Sequence, residues 1–262
     1  MKTLEHLSVL KISGDDATEF LQGQMTQDTG ELNDDQIHLT SFCNPQGRII
    51  ATSLIQYWNE AYYLILSSDL IDDLETHLQR YILRSKVTVE QSERMVFGIY
   101  TNNSVSNQQL FKSLSNDSER MLALANQVPE NIDDFIASEE WIQCDIKKKI
   151  PIITKESSQK FIPQMLNLDI LDAVSFSKGC YTGQEVIARV QHRGKIKQRM
   201  FIINDENQSH IPIGSEIQNE SKKVGTVVIS ALINEQSTSL AVINTSDSGN
   251  QLNIRNKGIV LL

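Results

Sequence analysis

Lys178-Gly179-Cys180-Tyr181-Thr182-Gly183-Gln184-Glu185-Val186-Ile187-Ala188-Arg189 is the densest run of chemically distinctive side chains in the sequence. Gly179 and Gly183 permit a tight backbone, and Val186, Ile187 and Val190 then recur as one face of a helix, so a helix should begin near Thr182 or Gly183. Cys180 falls just before that start. A helix terminus and the nearby Lys178 would make it a reactive thiol rather than an inert one. The alternative is a glycine-bounded turn around a small buried thiol, the usual state of a free cysteine.

Working outward, Lys195, Lys197 and Arg199 alternate with Ile196, Gln198 and Met200, which on a strand places the three cations on one face. From 178 to 199, six cations (Lys178, Arg189, Arg193, Lys195, Lys197, Arg199) stand against one acid, Glu185, in a chain of net charge −9. That excess suits a compact carboxylate ligand or an acidic partner, although a solvated sheet face explains the alternation equally well. No aromatic series is interleaved with these cations, which argues against direct nucleic-acid binding. Beyond Gly194, short strands punctuated by Pro212, Gly214, Gly225 and Gly249 predict a small barrel or sandwich.

Towards the N-terminus, Leu7 to Ile12 alternates as a strand, and Ser13 to Asp16 offers a turn and an N-cap for a short helix ending at Gly23. The amide-rich loop Gln22 to Asp28 follows. Strands at 48–56 and 61–66 flank a Trp58-Asn59-Glu60 turn, and Leu70, Ile71, Leu74, Leu78, Tyr81 and Ile82 recur at helical spacing behind a Ser67–Ser68 cap. Strands at 87–89, 96–100 and 121–125, with a helix at 107–114, complete a β-β-α-β-α-β order that suits a ferredoxin-like unit. A helix is expected over 131–144, with Phe135, Ile136, Trp141 and Ile142 inward, and then a polar connector over 147–160.

The 40% apolar and 22% charged residues exclude wholesale disorder, and no apolar run reaches the ~18 residues of a membrane span. The opening residues lack the apolar stretch of a signal peptide, so a cytoplasmic protein is expected. Cys43, Cys144 and Cys180 are odd in number and widely spaced, which encodes neither a disulfide framework nor a zinc or iron–sulfur ligand set. His6, His38, His77, His192 and His210 form no metal-ligand pairing, and no metal is expected. Glu31, Asp34 and Asp35 read as a solvated acidic turn.

The block from Lys178 to Glu185 resembles the folate-binding proteins of the YgfZ type, relatives of the glycine-cleavage T-protein, an aminomethyltransferase. The resemblance extends through Phe161 to Asp169, Gly14 to Gln24, and Cys43-Asn44-Pro45-Gln46-Gly47-Arg48. It implies an α+β, three-module T-protein-like architecture around a central opening. A discontinuous α+β core would occupy 1–46 and 131–193, a ferredoxin-like insertion 47–130 and a C-terminal β-barrel 194–262. The implied ligand is tetrahydrofolate or another reduced folate. The implied role is to support assembly or repair of iron–sulfur enzymes, tRNA modification among the processes served, with iron–sulfur client or assembly proteins as partners of a monomer. Cys180, with Lys178 beside it, is the residue associated with activity. Gln22, Gln24, Thr26, Tyr181, Gln184, Glu185 and Arg189 are the expected folate contacts, since both blocks combine helix ends, glycines and amides suited to a flat polar heterocycle.

The sequence also departs from the family. Cys43 to Gly47 carries no carboxylate where the T-protein needs one beside the folate amine, which counts against aminomethyl transfer. Asp172-Ala173-Val174 stands where a glycine is expected, so the backbone should differ there, and Cys144 to Lys149 lacks the expected arginine and glycine. Two other readings remain at this point, a folate-dependent one-carbon transferase and a non-catalytic adaptor.

Overall fold

The computed structural model describes residues 3–32, 35–101, 112–130, 132, 134–205, 211–233, 236–249, 251–254 and 257–262. Leu7–Ser13 (β1) leads into Ala17–Gln22 (α1), which ends at Gly23. Asp16 does not cap α1 with its side chain; the carboxylate accepts instead from the Lys86 backbone N–H at 2.7 Å. Gln36–Cys43 (β2), Ile49–Trp58 (β3) and Ala61–Ser67 (β4) pair antiparallel in succession. Asn59 and Glu60, at φ 50° and 59°, form the turn between β3 and β4. Ile71–Gln79 (α2) starts after a 3₁₀ turn, not at a serine cap, because the Ser67 hydroxyl donates to the Asp69 carboxylate at 2.7 Å.

Thr88–Ser92 (β5), Met95–Tyr100 (β6), Lys112–Leu114 (β7) and Asp117–Ala125 (β8) follow. Of the helix expected at 107–114, residues 107–111 lie outside the described residues, and the remainder is strand β7, paired parallel with Gln36 and Ile37. Asp34 and His210 also lie outside them. The eight strands form one sheet in the order β5-β1-β4-β3-β2-β7-β8-β6. Because β1 sits between β4 and β5, and β2 between β3 and β7, a division at residue 46 would cut ladder pairs such as Leu10 with Leu64 and Phe42 with Ala51.

Ser138–Lys148 (α3) begins later than expected and runs into the expected connector. Ile136 is buried ahead of the helix, and Trp141 is fully buried within it. Beneath α3 lies a charge cluster that sequence reading missed. Arg120, 1% exposed, pairs with Asp117 and with Asp145 at 2.7 Å, donates to the Trp141 carbonyl at 3.0 Å, and stacks over the Trp141 ring at 4.2 Å. Lys149 closes α3 in the left-handed region at φ 58°, and Asp172 adopts φ 54°. Both fall in the segments where a glycine was expected. Each of these residues adopts a left-handed backbone less readily than a glycine would.

Gln184–Arg193 (α4) ends at Gly194. Gln198–Asp205 (β9), Glu216–Asn219 (β10), Lys222–Ile233 (β11), Gln236–Asn244 (β12), Leu252–Ile254 (β13) and Lys257–Leu261 (β14) then close a barrel in the order β10-β11-β12-β9-β14-β13. On β12, Ala241 and Ile243 fill the barrel interior, while Leu240 and Val242 face outward into the main core, and α3 packs against β11 and β12. A strand covered on both faces reads as a continuous apolar run, as Leu240 to Ile243 does. The fold is α+β with a closed C-terminal barrel, as the resemblance implies.

Candidate functional site

Three segments far apart in sequence converge: the loop at 22–28, the turn at 44–47 and the run at 178–186. The Thr182 N–H donates to the Gly23 carbonyl at 3.1 Å, and the Thr182 hydroxyl to Gln24 Oε1 at 3.3 Å. Gly183, at φ 84°, lies so close to the turn that a Cβ there would stand 2.6 Å from the Asn44 carbonyl oxygen. Gly47, at φ 70°, approaches the Val186 side chain in return. The helix of the 178–189 run starts at Gln184, with Gly183 before it.

Lys178 is the clamp of this arrangement. It is 8% exposed, and its ammonium donates to the Met25 carbonyl at 2.9 Å and the Gln27 carbonyl at 2.7 Å, 5.1 Å from the centre of the Tyr181 ring. Burial pushes its pKa down to about 8, against an upward pull from Asp28. Thr26 is wholly buried, its hydroxyl donating to the Ala173 carbonyl at 2.7 Å and accepting from the Ser41 N–H at 3.0 Å. Gln22 accepts from Thr29 N–H and donates to Asp28, while Gln24 is buried against Thr182. Tyr181 lies in the core, where burial raises its pKa. Lys178, Thr26, Gln24 and Tyr181 therefore build the loop from behind. Gln184 is half-buried at the head of α4, and Glu185 and Arg189 stand exposed one turn apart.

Cys180 is exposed, which removes the buried-thiol alternative. It borders a pocket of about 710 Å³ lined by the turn before α1, α1 itself and the loop after it, including Asp15, Asp16, Glu19, Gln22, Asp28 and Thr29. The charged side chains of this lining are all acidic. Sequence reading named Gln22 and Cys180 but missed Glu19 and Asp28, whose proximity to the thiol arises only from the fold. Cys43 is buried, and burial pushes its thiol up to about 12. Cys144 is half-buried beside Tyr100, whose hydroxyl lies 3.5 Å from the sulfur.

The cationic series divides. Arg199 grips Asp169 through both guanidinium nitrogens, at 2.6 and 2.9 Å, and donates to the Gln164 carbonyl. Lys195 and Lys197 precede β9 and are exposed. The three therefore do not share one strand face. His192 packs edge-on to Phe176 at 6.4 Å. Among the described residues no group of His, Cys, Asp and Glu could hold a metal ion, and no helix is long and apolar enough to cross a membrane.

No family model matches the chain. A protein of Haemophilus influenzae described only as uncharacterized is 31% identical over 268 residues, spanning 99% of this chain and 94% of its own. The tRNA-modifying protein YgfZ of Hamiltonella defensa is 30% identical over 272 residues, with 91% of this chain and 80% of that protein covered. The chain belongs to the YgfZ family. A second YgfZ, from Yersinia pestis, is 27% identical over 94% of the chain and 84% of its own length. Among solved structures, the glycine cleavage system aminomethyltransferase T of Bartonella henselae superposes with a TM-score of 0.71 over 99% of this chain and 83% of that one, at 11% identity. That likeness establishes a shared fold between a YgfZ protein and the T-protein.

Proposed function

We propose that the chain is a cytoplasmic tetrahydrofolate-binding factor that supports assembly or repair of iron–sulfur enzymes, with the Cys180 thiol as its working group. The observation that carries this reading is the convergence of the 22–28 loop, the 44–47 turn and the 178–186 run on an exposed cysteine beside a pocket of about 710 Å³. Its acceptor set fits the pterin end of a reduced folate, whose amino and ring N–H groups would donate to carboxylates such as Asp28 and Glu19. A bound reduced folate would bring a reducing or one-carbon-carrying ring to the thiol. The chain's own residues supply the setting: Lys178 holds the loop closed through two carbonyls, and Gln22 fixes Asp28 and Thr29. The Asn44–Gly47 turn carries no carboxylate, which disfavours aminomethyl transfer.

The test is titration with a reduced folate, together with Cys180→Ser in cells lacking the native protein. Saturable binding, with complementation lost in a variant that stays folded, is expected. Absence of binding at millimolar folate would remove the ligand from the proposal. A folded Cys180→Ser variant that still complements would remove the role of the thiol. Glycine-dependent turnover of tetrahydrofolate would instead favour the transferase reading.

A further inference from the structure

We infer that a second, separate site lies where α4 meets the barrel, and that it takes a small aryl carboxylate, a single apolar ring carrying one or two acidic groups. The cleft encloses about 320 Å³ and is walled by Ile162, Met165, Val190 and Ile196, with Gln198 and Asn244 closing one end. It shares no lining residue with the pocket beside Cys180.

Lys195 and Lys197 stand at this cleft, both exposed, and among the described residues neither pairs with a carboxylate. Asp169, on the segment that precedes α4, is neutralised by the two-pronged contact from Arg199, and Asn244 Nδ2 donates to the Asp247 carboxylate at 3.3 Å. Gln198 and Asn244 hydrogen-bond to each other at 3.0 Å, so the polar end is largely satisfied within the protein. What remains unsatisfied is an apolar surface in a concavity and a pair of exposed ammonium groups beside it.

That combination selects a ligand by two features at once. The four apolar walls gain from excluding water around a flat hydrophobic body. The lysines, whose stems can lie along apolar surface while the charged heads remain solvated, then meet carboxylates projecting from it. A volume at the lower end of ligand cavities accommodates one substituted ring rather than a dinucleotide. A free aryl acid and the aminobenzoyl-glutamate half of a folate carry this same chemistry. The acidic lining beside Cys180 offers no cation to such a carboxylate tail.

The experiment is calorimetric titration of the full chain with p-aminobenzoyl-glutamate as probe, with benzoate and glutamate titrated separately. Saturable binding of the probe, tighter than either half by tenfold or more, is expected. Lys195→Glu with Lys197→Glu should weaken it about tenfold at low salt and less at high salt, since exposed charges are screened over ~8 Å at physiological ionic strength. Ile196→Phe, which fills the cleft and leaves both lysines in place, should also abolish it, with the melting temperature recorded to establish folding. Titrating a reduced folate against the lysine variant separates the sources. Parallel loss of folate and probe identifies the folate tail as occupant; loss of the probe alone identifies a free aryl acid. No saturable probe binding at 10 mM or roughly that level, or binding unchanged in a folded lysine or cleft-filled variant, overturns the inference whatever the outcome of the Cys180 experiments.

Discussion

The two glycines that bound Cys180 should respond in opposite ways to the same substitution. Gly183 has φ 84°, and a Cβ placed on it would lie 2.6 Å from the Asn44 carbonyl oxygen and 3.0 Å from Gly47 Cα, both backbone atoms that cannot swing aside. The left-handed conformation costs an L-residue about 1 to 2 kcal/mol, and the overlap adds about 1 to 3 kcal/mol as the turn is pushed from the helix. Gly183→Ala should therefore lose about 2 to 5 kcal/mol. At Gly179 the backbone is not left-handed and a Cβ meets nothing within 4 Å. Gly179→Ala should be neutral or stabilise by up to about 1 kcal/mol, because it narrows the unfolded ensemble. Urea unfolding followed by far-UV circular dichroism gives both values. If the two variants fall within about 1 kcal/mol of each other, the Gly47–Gly183 contact is not what fixes the turn against α4, and the account of the site fails.

Other expectations follow from individual side chains. Burial holds the His6 imidazole at about 4 against 6.5, so the unfolded chain binds more protons between those values and stability must rise with pH across them; up to about 3 kcal/mol should disappear on acidification from pH 6.5 to 4, and His6→Phe should flatten that limb of the profile. Lys178→Met leaves the Met25 and Gln27 carbonyls without their donor and should cost about 1 to 3 kcal/mol at pH 7; a loss under about 0.5 kcal/mol would show that the ammonium does not hold the loop. Peptide mapping after brief alkylation should find Cys180 modified first and Cys43 only on unfolding, and early labelling of Cys43 would contradict its burial. Lys149→Gly should stabilise by about 0.5 to 1 kcal/mol by relieving a left-handed C-cap, measured as a raised urea midpoint.

Local features were legible in the sequence. The stop of α1 at Gly23, the turn at Trp58 to Glu60, the start of α4 beside Gly183 and the strand-rich barrel all depend on neighbours a few residues away. The order of the sheet was not legible, because the insertion of β1 between β4 and β5 is chosen by mutual burial of strands some fifty to eighty residues apart. The same limit hid the partners of charged groups. Lys178 reads as a neighbour of Cys180 yet reaches back 153 residues to Met25, and Arg199 reads as one of three surface cations yet is bound to Asp169. The resemblance supplied the meeting of the 14–24, 43–48 and 178–185 blocks, but neither it nor the spacing revealed that Asp15, Asp16, Glu19 and Asp28 would line one pocket with the thiol.

The barrel strand with two apolar faces bears on how the chain is made. α3 leaves the ribosome well before β11 and β12, the strands that cover it, and at ~5 to 20 residues per second that interval lasts several seconds. During it the outward surface of the nascent body is bare. Once synthesised, the barrel carries the matching bare surface, with Met200, Val228, Leu240 and Val242 turned outward. Neither part is suited to a separate existence, so the last quarter of the chain acts as a closing seal, and a truncation that removes it should yield insoluble product rather than a smaller soluble protein.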